Sequence, residues 1–115
     1  MEIQADIKNE KGVVVLSIKD KEINHNNSAS LKEKIFLEIA DGNKKIVLNL
    51  QKVEEMDSSG LGALLFGKRQ ASNAGGNIVL VSVSPAVQSL LRIAQLTRVF
   101  DTFESVKDAL KSFKN

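Results

Sequence analysis

Asp57, Ser58 and Ser59 stand side by side in VEEMDSSGLG, Val53 to Gly62, between the apolar run KKIVLNLQK and an amphipathic stretch. All three residue types cap helices, where a side-chain oxygen accepts a hydrogen bond from the first turn and contributes about 1 kcal/mol. One cap suffices, yet three candidates occur in a row. Gly60 and Gly62 follow, and each costs a helix roughly 0.5 to 1 kcal/mol relative to alanine. Glycines so placed bring backbone close to something, or admit something close to backbone. A helix N-terminus also directs unpaired N–H groups and the positive end of the helix dipole at one point, so a hydroxyl there is well placed to carry a phosphate. Two readings stand: a plain helix cap, or a phosphate acceptor.

Other chemistries find less support. Gly60-Leu61-Gly62 begins a dinucleotide-binding pattern, but the third glycine would fall at position 65, which is Leu65, and no Gly-Lys-Ser or Gly-Lys-Thr step is present. A hydrolase using Ser58 as nucleophile needs a base and an orienting carboxylate. The single histidine, His25, would have to be that base, and it lies in a polar loop among asparagines where a solvated role is the simpler one. Glu54-Glu55 lacks the histidines or further spaced carboxylates of a metal site. The chain has no cysteine, which excludes disulfides, thiolate zinc sites and cysteine nucleophiles. An enzyme is disfavoured, and no metal or cofactor is expected.

Composition bounds the rest. At 115 residues and 43% hydrophobic content, one domain spanning 1–115 with a modest core is expected. Sixteen basic against fourteen acidic residues leave a charge of +2. The basic residues are scattered, so nucleic-acid binding is not indicated. The N-terminal MEIQADIKNE lacks the basic start and apolar core of a secretory signal, and no run approaches the roughly 20 apolar residues of a membrane span. A soluble, cytoplasmic protein without membrane insertion is expected.

The elements that must position the serines follow from periodicity. Ile3 to Lys8 alternates through Ile3, Ala5 and Ile7, and Val13 to Ile18 is β-branched, with Asn9 to Gly12 as turn material, so the two predict a β-hairpin. Asp20 to Asn27 loops into a helix that Asn27, Ser28 or Ser30 could cap, Ser30 and Glu33 having capping-box spacing, with Leu31, Ile35 and Ile39 as its apolar stripe. Asp41-Gly42-Asn43 ends that helix, and Ile46 to Leu50 suits a central strand. A second helix runs from Ser59 to Ala74 and stops at Gly75-Gly76, before a strand over Asn77 to Val83. On its wheel Leu61, Leu64 and Ala71, flanked by Gly60, Gly67 and Ala74, face the sheet. Phe66 falls on the far side with Gly62, Arg69 and Asn73, as an exposed contact residue for a partner. Ser84-Pro85 opens a third helix with Val87, Leu90, Leu91 and Ala94. Val99 to Phe103 reads as a short strand, and Ser105 with Asp108 opens a last helix carrying Val106, Leu110 and Phe113. A hairpin followed by alternating strands and helices predicts an α/β fold: a mixed four- to five-stranded sheet with about four helices.

IVLNLQKVEEMDSSGLGALLFGKRQ, followed by AGGNIVLVSVSPAVQSLL, closely resembles the STAS domain of the anti-sigma factor antagonist family. In that family Met-Asp-Ser-Ser/Thr-Gly-Leu-Gly lies between a central strand and the next helix. The resemblance extends over about the whole chain and implies a non-enzymatic binding module. In that family the first hydroxyl after the Asp is phosphorylated by a serine kinase that doubles as an anti-sigma factor, and by position the resemblance implies that this residue is Ser58. Unphosphorylated, the module would bind the kinase and free the sigma factor; a serine phosphatase would reset it, and the kinase would bring ATP and magnesium. Asn24, Asp57, Ser59 and Gly60 would surround the phosphoserine, and Gly62, Phe66 and Arg69 would face the partner. Family members often carry Gly-Glu-Leu-Asp before the first helix, with the Asp near the phosphorylated serine, whereas this chain reads Lys21-Glu22-Ile23-Asn24. STAS domains also occur in transport and stress-signalling assemblies, so an accessory or sensor subunit binding a small ligand is the alternative.

Overall fold

A computed structural model describes residues 1–114. Its hairpin is tighter than the turn composition implies. β1 (Ala5–Glu10) and β2 (Val13–Ile18) pair antiparallel from Ala5↔Ile18 to Glu10↔Val13, leaving only Lys11 and Gly12 to turn the chain. Both have positive φ, 55° and 88°, as a two-residue hairpin turn requires, and Asn9 Oδ1 accepts the Gly12 N–H at 3.0 Å. β1 is an edge strand, so Ile7, opposite Leu16, remains 53% exposed although Ile3, before the strand, is buried.

After the short β3 (Glu22–Ile23) comes α1 (Ser28–Ala40), preceded by Asn27 at the N-cap position. The Ser30–Glu33 capping box does not form. Ser30 lies inside the helix, and its Oγ accepts the Ile3 N–H at 2.9 Å, tying the N-terminal segment to α1. Asn27 is buried, but its side chain does not bond the first turn. Its amide side chain accepts from Asn24 N at 2.8 Å and donates to Glu22 O at 2.9 Å, stapling the loop to β3.

β4 (Lys45–Asn49), β5 (Glu55–Met56), α2 (Ser58–Asn73), β6 (Asn77–Val81), α3 (Pro85–Ile93), β7 (Thr102–Phe103) and α4 (Val106–Ser112) complete the chain. Five strands form one mixed sheet in the order β1-β2-β4-β6-β7, antiparallel only at β1–β2, while β3 and β5 form a separate parallel pair. The expected α/β architecture is present, with the small second sheet added. The strand expected over Asn77 to Val83 stops at Val81, where Ser82 takes a φ of 56°. That expected from Val99 shrinks to Thr102–Phe103, because Val99 N bonds Leu96 O in a turn and Phe100 turns into the core.

Alternation along the strands sorts the core. Val14, Leu16, Ile18, Ile46, Leu48, Ile78 and Leu80 pack with Leu31, Ile35, Leu61, Leu64, Val87 and Leu91 of α1, α2 and α3. Val13, Val15, Val47, Val79 and Val81 face the other way, toward Ala109, Val106, Leu110 and Phe113 on and beside α4. Apolar residues on both faces of β4 thus match helices on both sides of the sheet, as the run Ile46 to Leu50 implies. Ser84 and Ser105 cap α3 and α4 as expected, accepting from Val87 N at 3.2 Å and Asp108 N at 3.1 Å.

Candidate functional site

The start of α2 is held by the smaller sheet. Glu22 pairs with Glu55 and Ile23 with Met56, which sets the loop after β3 beside the first turn of α2. Asp57 N–H donates to Ile23 O at 3.2 Å, so the last residue before the helix is fixed by β3. Asp57, in extended backbone conformation, is the N-cap, and its Oδ1 accepts the Gly60 N–H at 3.0 Å. Its second oxygen, Oδ2, accepts the His25 N–H at 3.1 Å and lies 3.6 Å from His25 Nδ1. One carboxylate therefore joins two loops that are 32 residues apart in sequence. The Gly60 amide above all, with the amides of His25 and Ser59, holds the Asp57 carboxyl below its ordinary range, against the opposing effect of its partial burial.

With Asp57 serving as cap, the two serines are released from that task. Ser58 is the first helical residue and is exposed; Ser59 is half-buried. Gly60 is required by packing: a Cβ there would stand 2.6 Å from Ile23 O and would collide with Met56. Gly62 is different, because a Cβ built on it meets nothing within 4 Å. The protein's own packing thus accounts for one glycine of the pair and not for the other.

A shallow depression of about 390 Å³ adjoins the cap, and its lining includes Glu22, Asn24, His25, Glu55, Asp57 and Ala86. Three carboxylates against one histidine make it acidic. Asn24 lies in it as expected, its Nδ2 donating to Glu22 Oε2 at 3.1 Å and its Oδ1 accepting from Asn26 N at 2.9 Å. An aspartate at 24 would set a second carboxylate against Glu22. Among the described residues no group of three His, Cys, Asp or Glu could hold a metal ion. His25, read from sequence as a solvated loop residue, has a 75% exposed side chain, but its backbone is anchored by Asp57. Nothing in the sequence signals that anchor. No hydrogen bond among the described residues joins His25 to Ser58, the contact that a serine nucleophile requires.

The helical wheel of α2 holds on its sheet-facing side except at Ala74 and needs correction elsewhere. Gly60, Leu61, Leu64, Gly67 and Ala71 are buried, together with Ala63, whereas Ala74 is exposed as the C-cap. Arg69 is exposed and Gly62 half-exposed. Phe66 is only half-buried rather than free, because α1 packs alongside α2 and Lys32 Nζ lies 5.9 Å from its ring centroid. The exposed aromatic among the described residues is Phe36 on α1, which with its neighbour Leu37 is 51% exposed.

Comparison with known proteins accords with this geometry. Residues 4–109 match the STAS domain family. A Thermotoga neapolitana protein provisionally named an anti-sigma factor antagonist is 33% identical over 99 residues, covering 85% of this chain and 88% of its own. The anti-sigma F factor antagonist of Paenibacillus polymyxa is 27% identical over 111 residues, covering 96% and 94%. The crystal structure of a Thermotoga maritima protein, also provisionally an anti-sigma factor antagonist, superposes with a TM-score of 0.90 at 29% identity, covering 96% of this chain and 95% of that one. The chain belongs to the STAS domain family and, within it, to the anti-sigma factor antagonists, which are regulatory binding proteins.

Proposed function

We propose that this protein is a phosphorylation-controlled antagonist that binds an anti-sigma factor serine kinase, so releasing a sigma factor, and lets go when Ser58 is phosphorylated. A serine phosphatase would return it to the binding state. The observation that carries the reading is the division of labour at the start of α2: Asp57 does the capping, and the adjacent Ser58 hydroxyl is left exposed to an enzyme.

A phosphate on Ser58 adds roughly 1.5 to 2 negative charges. Over a helix N-terminus that charge favours the fold by about 0.3 to 1 kcal/mol, so phosphorylation does not unfold the domain. Its effect falls on the interface. The new charge joins Glu22, Glu55 and Asp57, and an interface that buries it without a counter-charge costs several kcal/mol, where each ~1.4 kcal/mol is tenfold in affinity. Asp57 lies beside the new phosphate, and repulsion between the two charges favours a local rearrangement at the start of α2.

Incubation with an anti-sigma factor kinase and ATP, followed by mass-spectrometric mapping, tests the assignment. Phosphate on Ser58, absent in Ser58→Ala, is expected. Phosphate on Ser59 alone, or none with any kinase of this class, would contradict it.

A further inference from the structure

The face of the sheet opposite α1 and α2 carries a groove that the proposed switch does not use. α4 is seven residues long and packs chiefly over β4, β6 and β7, with Val13 and Val15 of β2 at the edge of the same apolar cluster. Between α4 and the hairpin lies a groove of about 740 Å³, within the usual size of small-molecule sites. Val13 and Val15, only 6% and 5% exposed, lie at its base, and the half-buried Leu110 and Phe113 form its wall.

Its rim is basic. Lys8, Lys11, Lys45, Lys107, Lys111 and Lys114 line it, against two acids, Asp6 and Glu10. Both acids are already engaged, Asp6 by Lys19 at 3.2 Å and Glu10 by Lys8 at 3.3 Å. Six lysines against two acids leave a surplus of four positive charges in a chain whose whole net charge is +2. The remainder of the molecule is therefore net acidic, and the potential is concentrated over an apolar concavity, which draws anions to it. Lysine stems add to the apolar lining while their ammonium groups stay in water.

We propose that this groove binds a single-chain anionic amphiphile, a free fatty acid, with its alkyl chain over Val13, Val15, Leu110 and Phe113 and its carboxylate among the lysines. A purely apolar ligand would waste the rim, and a small inorganic anion would leave the floor unused. The groove and Ser58 lie on different sides of the sheet, so occupancy does not depend on the phosphorylation reading.

The test is titration of the full chain with dodecanoate below its micellar range, followed by calorimetry and backbone amide NMR. Saturable binding is expected, with shifts centred on Val13, Val15, Leu110 and Phe113. Affinity should rise about two- to fourfold per methylene through octanoate, decanoate and dodecanoate. Dodecyltrimethylammonium, of equal chain length, should bind at least tenfold more weakly, a comparison that needs no variant. The exposed double substitution Lys45→Glu with Lys107→Glu, which takes the surplus of four positive charges to zero, should abolish that preference, and Ser58→Ala should bind dodecanoate as the native chain does. Equal binding of the two head groups, shifts centred elsewhere, or no saturation at millimolar dodecanoate would overturn the proposal. So would binding to phosphatidylglycerol vesicles without binding to the monomeric acid, which would make the face a membrane contact.

Discussion

Replacing Gly62 by alanine should stabilise the protein and weaken its hold on the anti-sigma factor. Gly62 is the fifth residue of α2, where glycine costs about 0.8 to 1 kcal/mol relative to alanine. A Cβ there enters open space, with no atom within 4 Å, so no packing penalty offsets the gain. At roughly 4 °C per kcal/mol for a chain of this size, the melting temperature should rise by about 4 °C. Gly60→Ala is the control. Its Cβ would lie 2.6 Å from Ile23 O, the atom that accepts the Asp57 N–H. Overpacking against backbone costs about 1 to 3 kcal/mol, which the helix-propensity gain offsets only in part. The two variants should thus move in opposite directions in thermal or urea denaturation. The proposed partner contact at Gly62 predicts that Gly62→Ala weakens binding by tenfold or more in calorimetry. A stabilised variant that binds as tightly as the native chain would refute the partner contact, and a destabilised one would refute the open-space reasoning.

Asp57→Asn keeps a neutral cap and removes the charge. The folded Asp57 carboxyl titrates below its unfolded value, so the charge stabilises fully above the ordinary carboxylate pKa of about 4 and is lost as pH falls through the lower folded value. The stability difference between native and variant chains, about 0.3 to 1 kcal/mol for a charge at a helix start, should hold at neutral pH and vanish in acid; urea titrations across that range measure it. Ser58→Asp should leave the melting temperature within about 2 °C of native while binding to the kinase falls, as differential scanning fluorimetry and calorimetry would show. Phe66→Ala, which removes a half-buried ring beside Lys32, should cost about 1 to 2 kcal/mol in urea denaturation. Phe36→Ala, at a 51% exposed position, should cost less than half as much.

Much of this architecture is legible in the sequence where an element is long and periodic. The run Val13 to Ile18, the helix stop at Gly75-Gly76 and the Ser84-Pro85 start each act through local chemistry that the structure retains. The misses arise where a distant segment decides. β3 and β5 are two residues each, too short to show a period, and exist because they pair with one another. Ser30 has the spacing of a cap, but the amide of Ile3 claims its hydroxyl from 27 residues away. Phe66 looks free on a wheel that knows only α2, and α1 lies beside it. At the site, the redundancy of Asp57, Ser58 and Ser59 is visible in sequence, whereas the tie from Asp57 to His25 depends on a fold that no local pattern encodes.

On the proposed switch, a phosphate on Ser58 releases the partner while the domain stays folded. Native and quantitatively phosphorylated protein, compared in calorimetric titration against the same anti-sigma factor, test it most directly. The unphosphorylated chain should bind, and the phosphorylated chain should bind at least a hundredfold more weakly with an unchanged melting temperature. Equal affinity of the two forms, or release accompanied by unfolding, would contradict the account.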